Sequence, residues 1–236
     1  MQVDLNCDVG EGVPTDEQII PFISSANIAC GYHAGDADTI KRTIEYCMKY
    51  GVAVGAHPSW PDRDNFGRTE MQQSPVEIYR IVTEQLSIIA NISQQFGCRL
   101  HHVKPHGALY NQSAKDKTIA AAIAKAVVDF DASLLLFGLS GSVSITEASA
   151  IGLQTAHEVF ADRTYQDDGS LTPRSQPNAL IEEEAQALQQ ILQLISEQTV
   201  TSVSGKIIPL KADTICIHGD GKKAVAFATT ISSALQ

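Results

Sequence analysis

The chain has 236 residues, of which 44% are hydrophobic and 6% aromatic, enough for one large domain with a mainly aliphatic core. Its 27 acidic and 17 basic residues give a formal net charge of −10, which repels phosphate backbones, so nucleic acid is not expected as a partner. No apolar run approaches the roughly 18 residues of a membrane span, and the first residues lack the features of a secretion signal. We therefore expect a soluble, cytoplasmic protein with a single domain over residues 1–236 and no membrane partner.

Short apolar runs, each bounded by turn residues, alternate with helical segments along the chain. The candidate strands are Val3–Cys7, Ala26–Cys30, Val52–Ala56, Leu100–Val103, Ser133–Phe137, Gln154–Val159 and Thr214–Ile217. Alternating strands and helices indicate a parallel sheet with right-handed crossovers. Seven units of about 34 residues each have the usual length of a βα unit. Two architectures fit: an open doubly wound sheet, or a closed (β/α) barrel of seven strands.

Two helices are predicted with particular clarity. Ser74-Pro75-Val76-Glu77 reads as a capping box with proline at the first helical position, and Gly97 is placed to end that helix. A second helix is predicted from apolar residues at spacings of 4, 3, 4 and 3, which form one stripe opposite Glu182, Glu183 and Gln189. The stripe residues are Ile181, Ala185, Leu188, Leu192 and Ile195.

Polar side chains follow six of the seven candidate strands, at the point where each strand ends. A single polar residue in a loop carries little weight, but the carboxyl ends of parallel barrel strands converge on one face, and that face carries the chemistry. We therefore expect a functional site there. The residues are Asn6, Asp8, Glu11, His33, Asp36, His57, Asp62, Arg63, Arg68, Lys104, His106, Tyr110, Asn111, Glu158, Asp162, Arg163, His218 and Asp220.

The alternation of side chains between the two faces of a strand narrows the set of residues expected at the site. Asp4, Asn6 and Asp8 occupy alternate positions, so a strand points all three to one side. His101 and His102 point to opposite faces of the fourth strand, and we interpret both as structural. At the end of that strand, Lys104 and His106 form the stronger functional pair.

The loops carry no standard nucleotide or serine-hydrolase motif. The stretch "CIHGDGKK" lacks the first glycine and the final Ser/Thr of a P-loop, although Lys222 and backbone N–H groups there suit an anion. Neither G-x-G-x-x-G after a strand nor G-x-S-x-G occurs. The longest break, Ala161–Asn178, has the length of a lid or binding loop.

Several long blocks of the chain resemble, in the same order, the LamB/YcsF family. The likeness runs from Asp4 to Asp220, which is nearly the whole chain. The blocks are "DLNCDVGEG", "SANIACGYHAGD", "GAHPSWPDRDNFGR", "VKPHGALYN" and "EVFADRTYQDDGSLTPR".

The resemblance implies an α/β fold, a distorted TIM-like (β/α) barrel of about seven parallel strands related to glycoside hydrolases and deacetylases. It implies the role of the A subunit in an ATP-dependent 5-oxoprolinase, which opens 5-oxo-L-proline to L-glutamate together with subunits B and C. In the family picture the partners phosphorylate the lactam and the A subunit opens the ring. ATP is then a co-substrate, bound by this chain or by its partners.

Ring opening requires a base for water, an acid near the nitrogen, and cations for the negative charge. As a hypothesis, Asp8 and His57 transfer protons, and Lys104 with Arg63 or Arg163 holds the negative charge of the substrate. The residues that orient the substrate are His106, Asn6, His33 and Asn111. The candidate catalytic residues are Asp8, His57, Lys104 and His106. The candidate substrate-binding residues are Asn6, His33, Arg63, Asn111, Asp162 and Arg163.

Two other functions remain open from the residues alone. A metal-dependent hydrolase, such as a carbohydrate deacetylase, would bind zinc through Asp8, His57 and His106. A non-catalytic binding subunit would use the same polar face only for recognition. With the 5-oxoprolinase interpretation, no metal ligand is assigned.

Overall fold

The structure, a computed structural model, describes residues 3–218 and 224–235, and no helix within these ranges has the length and apolar character to cross a membrane. The strands are β1 Asp4–Val9, β2 Ser25–Ala29, β3 Ala53–His57, β4 His102–Val103, β5 Leu135–Leu139, β6 Gln154–Phe160, β7 Thr199–Thr201, β8 Ile207–Pro209 and β9 Thr214–His218. The α-helices are α1 Asp16–Ile19, α2 Ala37–Tyr50, α3 Pro75–Gln95, α4 Gly107–Ser113, α5 Lys117–Phe130, α6 Val143–Ala150, α7 Glu184–Glu197 and α8 Ala224–Ala234, with 3-10 turns at Ile20–Phe22 and Arg63–Asn65.

Seven parallel strands close into a barrel in the order β1-β2-β3-β4-β5-β6-β9. β1 pairs with β2 on one side and with β9 on the other, so the first and last strands of the barrel meet. The helices surround this barrel. Of the two architectures that the strand pattern allowed, the closed one is observed, and the predicted TIM-like α/β barrel is confirmed.

Each predicted barrel strand coincides with an observed one, although the pairing of β4 is limited to His102 and Val103. The pattern did not predict β7 and β8, which form a separate antiparallel pair. Strands of three residues are too short to show a repeating alternation of apolar and polar positions.

The predicted start and end of α3 are both observed. The Ser74 hydroxyl accepts a hydrogen bond from the Glu77 backbone N–H at 3.2 Å, and Pro75 opens the helix. Gly97 follows the helix with a φ of +68°, a conformation that glycine adopts without strain. The Glu77 side chain pairs with Arg80, so only half of the capping box forms.

The predicted apolar stripe of α7 is wrong, because a different face of the helix is buried. The helix begins at Glu184, and its buried face consists of Ala187, Ile191 and Leu194, while Leu192 is 50% exposed. Apolar residues are so frequent in this segment that two different stripes satisfy helical spacing. The surface against which the helix packs, which includes β7 and α8, decides between them.

Polar side chains fill part of the barrel interior, and Asp4, Asn6 and Asp8 of β1 all take part in its contacts. Asp4 accepts hydrogen bonds from Ser25 at 2.7 Å and from Thr214. This agrees with the predicted alternation, because side chains at every second position of a barrel strand face inward.

Gly55 of β3 gives His102 of β4 the space that it occupies. A Cβ atom at Gly55 would lie 2.1 Å from His102 Nε2. The imidazole stacks on Phe137 with ring centroids 4.2 Å apart and contacts Asn27 Oδ1 at 2.8 Å through Nε2. Burial lowers the pKa of His102 well below its usual value, so the ring is neutral.

We expect Gly55→Ala to lower the free energy of unfolding by at least about 1–3 kcal/mol. The new methyl group would overlap the His102 ring, which is held against Phe137 and Asn27. Urea denaturation measures this loss. In a His102→Ala background the same substitution should cost far less. Equal costs in the two backgrounds would show that the ring contact is not the cause.

Candidate functional site

A cavity of about 460 Å³ opens at the carboxyl ends of the barrel strands. This is the face on which a site was expected. Of the candidate catalytic and substrate-binding residues, those that line it are Asp8, His57, Lys104, His106, Asn111 and Arg163.

The Lys104 ammonium lies at the base of the cavity and is only 2% exposed. Its Nζ atom is 2.8 Å from Asp8 Oδ1 and 2.9 Å from Glu158 Oε1. It also contacts Cys216 Sγ at 3.0 Å and Asn6 Oδ1 at 3.2 Å. Burial opposes the charge of Lys104, but the attraction of Asp8 raises its pKa well above the usual value. The ammonium is therefore charged and held on several sides.

Asn6 contacts the Lys104 ammonium inside the barrel and does not line the cavity. Its Nδ2 donates to Thr214 Oγ1 at 2.7 Å, and its Oδ1 accepts from Asn27 Nδ2 at 2.8 Å. Asn27 Nδ2 also contacts Asp8 Oδ1 at 2.9 Å. Asn6, predicted to bind substrate, is thus placed to orient the Asp8–Lys104 pair.

His57 and His106 meet beside Asp8. Nδ1 of His57 donates to the Lys104 backbone carbonyl at 2.7 Å, and Nε2 of His106 donates to the Phe66 carbonyl at 2.9 Å. His57 Nε2 then lies 2.9 Å from His106 Nδ1 and 3.3 Å from Asp8 Oδ2. The two backbone carbonyls fix the orientation of both rings.

His33 stacks on His106 with a centroid separation of 3.8 Å and an angle of 5° between the rings. Its Nε2 lies 3.2 Å from Glu11 Oε1, and the same oxygen lies 3.6 Å from His106 Nδ1. Burial and the neighbouring His57 lower the pKa of His33 to about 3 and that of His106 well below its usual value. Both rings are neutral at neutral pH.

The wall of the cavity carries further basic residues. Arg68, Lys115 and Arg174 line it together with residues 170–175 of the long loop after β6. These groups give the entrance positive charge, although the whole chain is acidic. Such a local field favours an anionic ligand.

Arg163 ties this loop to the barrel. Its guanidinium donates to the Thr172 carbonyl at 2.7 Å and to the Ala179 carbonyl at 3.2 Å. Burial, and then the repulsion of Arg174, lower its pKa to about 10, which still leaves it charged at neutral pH. Arg163 thus both lines the cavity and fixes the position of the loop.

Four of the six predicted substrate-binding residues do not line the cavity: Asn6 and His33, described above, and Arg63 and Asp162. Arg63 is exposed and donates to the carbonyls of Gly31 and Gly35 at 3.0 and 2.9 Å, where it holds the loop after β2. Asp162 is partly buried, and its backbone carbonyl accepts from Ile181. The chain instead places Arg68 at the wall. The His218 side chain, Asp220 and Lys222 lie outside the described part of the chain.

Three residues of the site were not assigned a role from the sequence. Glu11 approaches the histidines, Glu158 pairs with Lys104, and Asn27 contacts Asp8. The signal for two of them was available, since Asn27 lies between apolar residues within β2 and Glu158 is an acidic residue within β6. Buried polar groups of this kind require partners.

Asp16 holds the loop that carries Glu11. Its carboxylate accepts a hydrogen bond from the Gly10 backbone N–H at 2.8 Å. Burial raises the pKa of Asp16 to about 6. Asp16 at the start of α1 is therefore tied to the end of β1, directly before Glu11.

Comparisons with known proteins agree along the whole chain. The sequence profile of the LamB/YcsF family matches residues 3–236. The chain is 55% identical to the A subunit of 5-oxoprolinase from Tolumonas auensis, over 99% of this chain and 95% of that protein.

Solved structures give the same picture of the fold. The crystal structure of a lactam utilization protein from Thermus thermophilus superposes with a TM-score of 0.94 at 41% identity, covering 100% of this chain and 96% of that one. A family 4 carbohydrate esterase from Streptomyces lividans, in complex with acetate, has a TM-score of 0.53 at 12% identity, covering 99% of this chain and 86% of that one. The second likeness is one of fold alone.

We expect Lys104→Met to lower the free energy of unfolding by about 3–5 kcal/mol at pH 8, because it leaves Asp8 and Glu158 buried without their counter-charge. The loss should be smaller at pH 5, where one carboxyl group takes up a proton on folding. Chemical denaturation at both pH values measures it. Lys125→Met, which breaks the exposed pair with Asp129, serves as the control and should cost about 0–1 kcal/mol.

Asp16→Asn should change how stability depends on pH. A carboxyl group whose pKa is raised on folding stabilises the protein fully below pH 3.8, and this contribution is lost as the pH rises through about 6. The unfolding free energy of the wild type, relative to the variant, should therefore fall by roughly 2–3 kcal/mol between pH 3.5 and 7. Asp38→Asn, at a side chain that is 89% exposed, is the control, and a similar fall there would contradict the assignment.

Proposed function

The chain belongs to the LamB/YcsF family, and on this basis we propose that it acts as the A subunit of an ATP-dependent 5-oxoprolinase. In this function it opens the ring of 5-oxo-L-proline to give L-glutamate. The relative that is 55% identical is named as the A subunit of 5-oxoprolinase, and the Thermus structure is described as a lactam utilization protein. The observation that carries the proposal is the Asp8–Lys104 pair beside His57, at the base of a cavity with a basic wall.

The charges around the cavity suit such a substrate. 5-Oxo-L-proline has one carboxylate, and a phosphorylated lactam adds a second anionic group. Arg68, Lys115 and Arg174 at the wall are the proposed partners of these anions, because guanidinium and ammonium groups form strong hydrogen bonds to both. Asn111 lines the same cavity and is proposed to orient the substrate.

Asp8 and His57 are the proposed proton-transfer groups. The Nδ1 proton of His57 is held by the Lys104 carbonyl, so Nε2 is the basic nitrogen, 3.3 Å from Asp8 Oδ2. Lys104 Nζ lies 2.8 Å from Asp8 Oδ1, and Asp8 Oδ2 faces His57. A water molecule next to Asp8 and His57 would thus meet two proton acceptors.

The proposed reaction adds this water to the lactam carbonyl carbon, and the base accepts its proton. The bond from that carbon to the ring nitrogen then breaks, and the nitrogen takes up a proton and leaves as the amine of glutamate. If the carbonyl oxygen is already phosphorylated, the immediate product is an acyl phosphate. A second water then releases phosphate and leaves the free side-chain carboxylate.

Subunits B and C are the proposed partners, and ATP is the proposed co-substrate. We place the phosphorylation of the lactam on these partners, since a P-loop is missing from the sequence of this chain. The use of ATP by the complex implies a cytoplasmic protein. The chain would then receive an activated lactam and complete its hydrolysis.

Release of glutamate from 5-oxo-L-proline is the direct test, measured with this chain alone, with candidate subunits B and C alone, and with all three. We expect ATP-dependent release only in the complete mixture. Asp8→Asn and His57→Gln should each lower the rate by about 10²–10⁴-fold, the usual size of general acid–base catalysis.

Lys125→Met, on the exposed face of α5, is the matched surface control and should retain the rate. Circular dichroism establishes that each variant folds. Near-normal rates for both Asp8→Asn and His57→Gln would remove the assigned roles. The absence of glutamate release by the complete mixture would remove the function itself.

A further inference from the structure

Four side chains from consecutive strand ends converge beside the Asp8–Lys104 pair: Glu11, His33, His57 and His106. We infer that they bind one first-row divalent transition metal ion, of the kind that Zn²⁺ represents. The inference goes beyond the proposed function and does not depend on which substrate the cavity accepts.

The hydrogen bonds of His57 and His106 to backbone carbonyls show which nitrogen of each ring carries a proton. A backbone carbonyl only accepts hydrogen bonds, so the Lys104 carbonyl requires a proton on His57 Nδ1, and the Phe66 carbonyl requires one on His106 Nε2. The other two nitrogens, His57 Nε2 and His106 Nδ1, face each other at 2.9 Å. When neither of these atoms carries a proton, both present lone pairs, and two lone pairs at this distance require a cation between or beside them.

The distances within the cluster suit a metal ion. A four-coordinate ion with bonds of about 2.0–2.1 Å separates its ligand atoms by about 3.3 Å. Here Glu11 Oε1 lies 3.2 Å from His33 Nε2 and 3.6 Å from His106 Nδ1, and all four ligand atoms lie within 4.8 Å of one another. Small side-chain rotations would bring them to one ion. Three imidazoles with one carboxylate are typical of Zn²⁺ and its neighbours in the first transition series.

The surroundings hold the histidine rings as those of metal ligands are usually held. The carbonyl acceptors of His57 and His106 are the type of outer partner that fixes a ligating imidazole. A Cβ atom at Gly67 would lie 3.0 Å from both His106 Cδ2 and His33 Cβ, so the backbone packs directly against the two rings. His33 is 1% exposed, and its Nδ1 has no hydrogen-bond partner among the described residues.

This ligand set differs from the zinc site that the sequence suggested as an alternative. In that alternative, Asp8, His57 and His106 were the ligands. In the structure Asp8 Oδ1 pairs with Lys104 and Oδ2 lies 3.3 Å from His57 Nε2. The cluster around the two histidines is completed by Glu11 and His33. A bound ion would supply a Lewis acid at the edge of the cavity. With the ion in place, His57 Nε2 would be a ligand and not a proton acceptor, and Asp8 would remain as the base next to it.

The test is metal binding by the full chain after treatment with a chelator, with Zn²⁺ and Co²⁺ as probes. Titration against a chromophoric chelator should give one equivalent of Zn²⁺ per chain, and bound Co²⁺ should show the intense visible absorption of low coordination number. Zn²⁺ should also raise the melting temperature.

Matched variants locate the ion. Loss of an outer hydrogen-bond partner of a metal ligand usually weakens metal binding by roughly 10–100-fold. His106→Asn and Glu11→Gln remove a ligand itself, so each should weaken Zn²⁺ binding by at least this factor. His101→Gln, at an exposed histidine outside the cluster, should bind like the wild type. Circular dichroism verifies the fold, and Glu11→Gln keeps the test valid if the histidine variant does not fold.

Two results would overturn the inference. One is a wild-type chain that takes up no stoichiometric Zn²⁺, which would assign the contact between His57 and His106 to a shared proton. The other is equal affinity in Glu11→Gln and His101→Gln. Both outcomes are independent of glutamate release, so failure of this site and failure of the proposed function are distinguishable.

Discussion

The buried ammonium of Lys104 is the constraint on which the rest of the barrel interior depends. An isolated charge in this position would be prohibitively costly, so the chain surrounds it with Asp8, Glu158 and two neutral groups. Each neighbour needs partners of its own, and this requirement extends the polar network through Asn27 to His102. The interior of β1, β2 and β4 is therefore polar because one cation at the base of the cavity must be neutralised.

The site divides into two halves with opposite electrostatic character. Lys104 forms ion pairs with two carboxyl groups, whereas His33 and His106 are kept neutral by burial. Asp8 belongs to both halves, because one carboxylate oxygen contacts the ammonium and the other approaches His57. A change at Asp8 would for this reason disturb both the charge balance below and the arrangement of the rings above.

The positions of Asp8 and Lys104 at the site could be predicted from the sequence, because strand alternation and the geometry of parallel barrels fix where a strand end points. Loops follow no such rule. Arg63 turned out to hold a loop, and Glu11 proved to face the histidines, since both positions depend on contacts between segments that are distant in sequence. The buried face of α7, with Leu192 exposed, likewise depends on the surface against which the helix packs.

The pairing of β1 with β9 has a consequence for how the protein is made. Thr214 reaches Asp4 and Asn6 across 210 and 208 residues of chain, respectively. At a synthesis rate of 5–20 residues per second, the ribosome needs about 10–40 s to produce the intervening segment. Throughout this interval the edge of β1 that later pairs with β9 is unpaired, and the polar interior is open to water. The site is therefore incomplete during most of the synthesis of the chain. Protection of this edge of β1 by a chaperone would matter most in this period.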